Sequence, residues 1–210
     1  NYKVTYEYAD TIPSGAPAVP AEKTYLYDDP VEIAGDPSLD GYTFSGWKID
    51  DEAAANFSMP SHDVTITGSW IKRSDLSYTV KYLEKDTDKV LHDDKTVGNR
   101  TFGETYTESA IAITGYTPED AELSVTITTG SNEIIFYYSK NSYKVTYEYE
   151  GTVPDNAPAV PAETSHLYDS LVTIAQAPTL DGYTFSGWKI DDEAAANFSM
   201  PTHDVTITGS

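Results

Sequence analysis

Leu39–Pro60 reads LDGYTFSGWKIDDEAAANFSMP, and the same 22 letters recur as Leu180–Pro201. The match extends in both directions, because Tyr2–Ser69 aligns without a gap with Tyr143–Ser210 and 53 of the 68 aligned positions are identical. Such repetition predicts tandem structural modules. The differences fall mostly among Gly, Pro and Asp residues, where loops are typical. The sequence therefore predicts two copies of one module.

A different segment lies between the two copies and shares their skeleton. Every module opens with Tyr-x-Val-x-Tyr and closes with a strand-like run around Val-Thr-Ile-Thr. Each also contains Gly-Tyr-Thr, at Gly41, Gly115 and Gly182. We predict three related modules: a first repeat (1–73), a middle module (74–141) and a last repeat (142–210). Because Ser210 precedes the counterpart of Trp70, we expect the last repeat to be truncated at its C-terminal strand.

Alternation of apolar and polar residues predicts strands throughout the chain. Tyr2, Val4 and Tyr6 fall on one face of the first predicted strand, the period-2 pattern of a half-buried sheet. In the middle module, 123–128 and 133–138 alternate on either side of a Gly-containing turn, which predicts an antiparallel hairpin. Helix is scarce, with single turns predicted at 51–56 and 109–113. The expected fold is mostly β, or α+β, built from three small tandem modules in an elongated array.

Composition narrows the classes of function. The chain has 210 residues with 13 Lys and Arg against 34 Asp and Glu, a formal net charge of −21. An acidic surface repels nucleic acid and anionic membranes. No run is apolar over the length of a membrane span, so no membrane insertion is expected of these residues. The chain has no cysteine, which excludes disulfides and thiolate metal sites.

Two family resemblances follow from the motifs. Gly41–Trp47 (GYTFSGW), a Met-Pro turn and a Val-Thr-Ile-Thr-x-x-Trp strand resemble the Listeria–Bacteroides repeat of internalin-type surface proteins. The middle module, with Tyr78–Tyr82 (YTVKY), Gly115–Thr117 (GYT) and a closing Ile-Ile-Phe-Tyr-Tyr strand, is similar to MucBP repeats. Both resemblances imply a β-grasp-like fold and a place in cell-wall-anchored, extracellular surface proteins of Gram-positive bacteria. Neither brings a catalytic residue.

These features predict a non-catalytic stalk or spacer of a bacterial cell-surface adhesin, in contact with neighbouring repeats of its own chain. The alternative is an adhesive module that binds a host glycan or an extracellular protein. The two hypotheses differ in one requirement: the adhesive module needs an exposed aromatic or polar patch that both repeats share. We expect no enzyme, and we assign no catalytic residue, no cofactor and no metal ligand from the sequence.

Two groups of residues suggest sites, the His–Asp pairs and the aromatic side chains. His62-Asp63 and His203-Asp204 suggest a hydrolase with Ser61, but adjacent strand residues point to opposite faces, and the second copy has Thr202 in place of Ser61. We interpret them as a turn before the last strand. Four aromatic residues could form a platform for carbohydrate but are expected in the core, as a module of this size needs its large apolar side chains there: Trp47, Trp188, Tyr42 and Phe44. The surface tyrosines Tyr25 and Tyr27 are better candidates for contact.

Acidic runs are the other candidate sites. Asp50–Glu52 and its copy Asp191–Glu193 lack the spacing of an EF-hand loop, as do Asp86-Thr87-Asp88 and His92–Asp94. We interpret all of them as solvated turns, with weak Ca²⁺ binding left open. Intramolecular isopeptide bonds and self-association between copies are also left open by the sequence.

Overall fold

The structure is a computed structural model that describes residues 1–210. It contains 22 strands and no helix. The first repeat holds β1 (Tyr2–Tyr8), β2 (Lys23–Tyr25), β3 (Pro30–Val31), β4 (Tyr42–Phe44), β5 (Lys48–Ile49), β6 (Glu52–Ala53), β7 (Phe57–Ser58), β8 (Val64–Gly68) and β9 (Trp70–Lys72). The mostly-β prediction is confirmed.

The remaining strands follow in chain order. The middle module holds β10 (Leu76–Glu84), β11 (Val90–Arg100), β12 (Thr105–Ser109), β13 (Tyr116–Pro118), β14 (Glu122–Thr126) and β15 (Glu133–Lys140). The last repeat holds β16 (Ser142–Tyr149), β17 (Thr164–Leu167), β18 (Leu171–Val172), β19 (Lys189–Ile190), β20 (Glu193–Ala194), β21 (Phe198–Ser199) and β22 (Val205–Gly209).

Each repeat is organised around a parallel pair of strands from its two ends. In the first repeat β1 pairs with β8, in the sheet order β2-β1-β8-β5-β6. The last repeat has the matching order β17-β16-β22-β19-β20. The alternation in Tyr2–Tyr8 has its predicted consequence, because Val4 and Tyr6 are buried and Glu7 is exposed. The sequence pattern therefore fixes which face of β1 meets the core.

The two repeats have the same core. In the first repeat a tight cluster forms around Trp47, which is 4% exposed, and Ile66, which is fully buried. Its members are Val4, Tyr6, Val31, Trp47, Met59, Val64 and Ile66. The last repeat buries the residues 141 positions later: Val145, Tyr147, Val172, Trp188, Met200, Val205 and Ile207. Trp47 and Trp188 are thus core residues, as predicted.

Compact packing divides the chain into two units rather than three. The first unit comprises Asn1–Val80, Lys95–Thr107 and Ser124–Ile134, and the second comprises Lys81–Asp94, Glu108–Leu123 and Ile135–Ser210. The division runs across the strands of the middle module. Each unit therefore contains one repeat together with the part of the middle module that packs on it. The boundaries at 73/74 and 141/142 stay predictions.

Two predicted helical turns are wrong. Asp50 and Asp51 form the two-residue loop of the β5–β6 hairpin, with φ of 50° and 66°. Positive φ at both central residues is typical of the type I′ hairpin turn, and Asp tolerates it. The second predicted turn begins at Ser109, which instead ends β12, and the chain continues without helix.

The predicted hairpin between 123–128 and 133–138 is also wrong. β14 pairs with β12 in a two-stranded sheet, and β15 belongs to the sheet of order β11-β10-β15-β13. Buried Asn132 closes the connection: its amide oxygen accepts from the Thr128 N–H (2.8 Å) and its amide nitrogen donates to the Ser77 carbonyl (3.0 Å). A side chain that satisfies a loop in this way lets consecutive strands enter different sheets.

Candidate functional site

The His–Asp pairs are strand-start turns in both repeats. The Asp63 carboxylate accepts a hydrogen bond from the Lys3 N–H at 2.7 Å, and Asp204 accepts from the Lys144 N–H at 2.8 Å. Both carboxylates therefore tie the start of the first strand of a repeat, β1 or β16, to the start of its parallel partner, β8 or β22. His62 and His203 are exposed. The interpretation of these pairs as a turn before the last strand is confirmed.

The acidic runs lie in turns or on exposed strand positions. Asp86 and Asp88, both at positive φ, belong to the connection from β10 to β11, whereas His92 to Asp94 lie on β11. Beside this connection, Lys85 pairs with Glu119 at 2.8 Å. No group of three or more His, Cys, Asp or Glu side chains is arranged to hold a metal ion. Having no helix, the structure also has none that could span a membrane.

The last repeat carries an apolar cleft of about 140 Å³, lined by residues that include Tyr149, Phe185 and Tyr183. Tyr149 and Phe185 correspond to Tyr8 and Phe44, between which Trp70 packs in the first repeat, with ring centroids at 5.7 Å and 5.0 Å. The cleft thus corresponds to the space that Trp70 fills.

Successive modules contact each other in one recurring geometry, which involves a Gly-Tyr pair. We call Gly41-Tyr42, Gly115-Tyr116 and Gly182-Tyr183 the Gly–Tyr corners. Within the first unit, the Gly41 carbonyl accepts from the Arg73 N–H (2.9 Å), and the Arg73 carbonyl accepts from the Phe102 N–H (2.9 Å). A connecting residue therefore joins the corner of the first repeat to a loop of the middle module.

The ring of Phe102 packs directly on the glycine of this corner. A Cβ added at Gly41 would lie 2.3 Å from Cδ1 of Phe102, so no residue with a side chain fits without displacing the ring. Tyr42 meets the same ring edge-on, with centroids 5.7 Å apart, an arrangement that aromatic pairs favour. Thr129 adds a hydrogen bond to the Asp40 carboxylate at 2.9 Å. We call this contact the first junction.

The second junction, within the second unit, repeats the first. The Gly115 carbonyl accepts from the Asn141 N–H (2.9 Å), and the Asn141 carbonyl accepts from the Tyr168 N–H (2.8 Å). A Cβ at Gly115 would lie 2.2 Å from Cδ1 of Tyr168, and Tyr116 meets that ring edge-on at 5.8 Å. Two unlike pairs of modules are thus joined by one geometry.

Tyr116 gives the second junction a titratable group. Burial raises the pKa of Tyr116 to about 12, helped by the hydrogen bond that its hydroxyl donates to Glu84 and by the negative charge of that carboxylate. The hydroxyl lies 2.9 Å from Glu84 Oε2. Both effects favour the neutral phenol, so the Tyr116 hydroxyl keeps its proton and its hydrogen bond to Glu84 at neutral pH.

Comparison with known families places these modules. The model of the Listeria-Bacteroides repeat domain matches residues 2–71 and 143–210, two thirds of the chain. The chain belongs to the Listeria–Bacteroides repeat domain family. Between these repeats, the model of the MucBP domain matches residues 78–150. The predicted arrangement, two Listeria–Bacteroides repeats flanking a MucBP domain, is confirmed.

Two solved structures are similar to the chain at low sequence identity. Domains 3-4 of the Streptococcal High Identity Repeats in Tandem (SHIRT) from a cell surface protein share 14% identity, with a TM-score of 0.27, over 100% of this chain and 96% of that chain. The crystal structure of Mub-RV shares 13% identity, with a TM-score of 0.23, over 67% of this chain and 100% of that chain. No curated protein matches the chain.

The junction residues were not predicted as a site. Gly-Tyr-Thr was noticed in all three modules, but only as part of a shared skeleton. The sequence does not reveal the aromatic loop that contacts each corner, because Phe102 and Tyr168 are flanked by different residues and share no motif. Of the two tyrosines suggested for contact, Tyr25 is partly buried against the core of the first repeat, whereas Tyr27 is 68% exposed.

Proposed function

We propose that this chain is a non-catalytic stalk region of a bacterial cell-surface adhesin, exported and anchored to the wall of a Gram-positive cell. The observation that carries the proposal is the recurrence of one junction geometry at both module boundaries. A spacer needs successive modules to hold a defined orientation, and a glycine seat filled by a ring restricts rotation at each boundary. The families matched support the setting, since both are repeat domains and not enzymes.

The contacts at the junctions support the stalk more strongly than short linkers alone would. Each combines two backbone hydrogen bonds with a partly buried edge-on contact between two aromatic rings. Interfaces between domains of one chain are usually mobile unless they are well packed. Because the two junctions share donors, acceptors and ring positions, a longer array of the same modules would repeat the same step.

A direct test measures how firmly the first junction is held. The chain has no cysteine, so Ser61→Cys and Thr96→Cys, both at exposed positions of the first unit, can carry spin labels without background. A stalk predicts a narrow distance distribution between the labels. Gly41→Ala should broaden it, whereas the matched variant Gly182→Ala should leave it unchanged. A broad distribution in the unmodified junction would refute the stalk.

The alternative is a module that binds mucin or another host glycan, favoured by the MucBP match in the middle of the chain. It predicts saturable binding of the full chain to immobilised mucin, competed by free glycan. A stalk predicts no saturable binding to mucin and none on a glycan array. Saturable binding that survives opening of the first junction by Gly41→Ala would favour the adhesive function over the stalk.

A further inference from the structure

A third loop has the conformation of the two loops that fill the junctions. Each junction loop has four residues, the second of which is aromatic. These loops are Thr101–Glu104 at the first junction and Leu167–Ser170 at the second. In both, the N–H of the fourth residue donates to the carbonyl of the first, and the third residue has positive φ. Leu26–Asp29 has the same hydrogen bond, at 3.2 Å, and φ of 70° at Asp28.

The anchoring of the third loop is also the same. The Asp28 N–H donates to the Met59 carbonyl, and the Met59 N–H donates to the Asp29 carbonyl, both at 2.9 Å. The equivalent pair at the second junction joins Asp169, Met200 and Ser170 at 2.9 Å. In addition, the Asp29 carboxylate accepts from the Leu26 N–H at 2.7 Å. The loop that carries Tyr27 is therefore preorganised, which lowers the entropic cost of docking.

The difference lies in what the ring meets. Tyr168 is partly buried on the Gly115 corner, whereas its counterpart Tyr27 is 68% exposed and the adjoining Leu26 is 60% exposed. The leucine does not distinguish the two loops, because Leu167 is also 52% exposed, so the difference is confined to the tyrosine ring. In the last repeat the same turn is the docking element.

We propose that Tyr27 docks on the Gly–Tyr corner of another MucBP-type module joined directly in front of Asn1. The contacts would be those of the second junction. The ring of Tyr27 would lie on a glycine, with a tyrosine at its edge. The carbonyl of the connecting residue would accept a hydrogen bond from the Tyr27 N–H. A MucBP-type corner is chosen because Tyr168, 141 positions later in the matching repeat, docks on that corner.

The test extends the full chain at its N-terminus with a second copy of residues 74–141. Tyrosine nitration by tetranitromethane, read by peptide mass spectrometry, then compares Tyr27 with Tyr168 in the same molecule. We expect nitration of Tyr27 to slow about tenfold relative to the 210-residue chain, which corresponds to a corner occupied about nine tenths of the time. Tyr183 is the internal control, because it is exposed and distant in sequence.

Two variants of the added copy make the result specific. Gly115→Ala in the copy should restore the fast nitration of Tyr27, and Tyr116→Ala in the copy, which leaves the glycine backbone unchanged, should restore it in part. Equal reactivity of Tyr27 in the extended and original chains would overturn the proposal. Protection in the original chain that grows with protein concentration would also overturn it, because the occupant would then be a second copy.

The proposal extends the proposed stalk to a module beyond these residues. The two tests can fail separately. If Tyr27 stays reactive while the spin-label distances across the first junction remain narrow, the stalk stands and only the docking role of Tyr27 is lost. If the distances are broad while Tyr27 is protected, the stalk fails and the docking surface stands.

Discussion

The first and last repeats share Leu39–Pro60 and Leu180–Pro201 letter for letter, yet this segment does not have the same structure in both. In the first repeat Tyr42–Phe44 forms β4, paired with β9, and Gly41 is buried. In the last repeat residues 183–185 form no strand, and Gly182 is exposed. In the first repeat this strand is stabilised by its pairing with β9, in which Phe44 lies opposite Trp70.

Removing the partner strand's main anchor should make the first repeat resemble the last. Trp70 is 9% exposed and packs on Tyr8 and Phe44. We expect Trp70→Ala to destabilise the first repeat by about 3–5 kcal/mol, the usual cost of truncating a buried aromatic residue. Equilibrium unfolding followed at the indole NMR signals of Trp47 and Trp188 measures the two repeats separately.

The signal of Trp188 should be unchanged by Trp70→Ala, because Trp188 belongs to the core of the last repeat, in the other compact unit. Trp70→Phe, which keeps a ring between Tyr8 and Phe44, should recover much of the loss. A cost near that of a surface substitution, within about 0.5 kcal/mol, would contradict the role given to Trp70.

The glycines of the corners offer a second, closely matched pair. Gly41 and Gly182 have φ of +77° and +78°, so alanine meets the same backbone strain at both, about 1–2 kcal/mol. Only at Gly41 would the new Cβ also meet a ring, that of Phe102 at 2.3 Å. We expect Gly41→Ala to cost about 1–3 kcal/mol more than Gly182→Ala, the range for overpacking.

Urea unfolding of the two alanine variants, read at the same two indole signals, gives this difference. In parallel, amide exchange at Arg73 should accelerate in Gly41→Ala, since the hydrogen bond from its N–H to the Gly41 carbonyl depends on the closed junction. Equal costs for the two variants would show that Phe102 moves aside freely and that the first junction is not tightly packed.

Titration of Tyr116 should open the second junction at high pH. The pKa is raised from 10.0 to about 12 in the folded chain. A raised pKa means that this stabilisation is complete below about pH 10, the pKa of an unperturbed tyrosine, and is lost as the pH rises towards 12. Burial also raises the pKa of Tyr8 and Tyr138, so absorbance at the phenolate band should show one late-titrating tyrosine fewer in Tyr116→Phe than in the native chain.

In Tyr116→Phe the late step should lose the contribution of Tyr116 and keep those of Tyr8 and Tyr138. The amide of Tyr168, which donates to the Asn141 carbonyl, should begin to exchange faster over the same pH interval in the native chain. A native titration that is complete near pH 10 would show that Tyr116 is not held by burial and Glu84.

The strands with clear alternation could be predicted from the sequence, because a period of two reports directly which face is buried. Val4 and Tyr6 are examples, and Trp47 was correctly placed in the core. The turn at Asp50-Asp51 was read as a helix start, since acidic residues also favour helix N-termini. Only the backbone shows that both residues take positive φ and close a hairpin.

The junctions could not be predicted for a different reason. The three residues of the first junction, Gly41, Arg73 and Phe102, are far apart in the sequence. Taken singly, they are interpreted as a glycine in a turn, a charged residue in a linker and an aromatic residue in a loop. Their common role depends on two backbone hydrogen bonds, Arg73 N–H to the Gly41 carbonyl and Phe102 N–H to the Arg73 carbonyl, each of 2.9 Å. Pattern analysis detects periodicity within an element but not such a meeting between modules.

A last pair of variants tests whether the two repeats are equally stable at positions away from the Gly–Tyr corners. Asp63 accepts from the Lys3 N–H at 2.7 Å, and Asp204 accepts from the Lys144 N–H at 2.8 Å. Each bond joins the two central parallel strands, away from the corners. We expect Asp63→Ala and Asp204→Ala each to cost about 1 kcal/mol, the usual net value of one hydrogen bond, in their own repeat and not in the other.

The two costs should agree within about 0.5 kcal/mol, the tolerance for independent sites, when measured by urea unfolding at the Trp47 and Trp188 signals. Asp63→Asn, which keeps an acceptor oxygen, should cost less than Asp63→Ala. A clear inequality between the repeats would mean that the closing strand stabilises the whole first repeat, including its parallel pair. Equality would confine the effect of Trp70 to the corner and the junction that the corner supports.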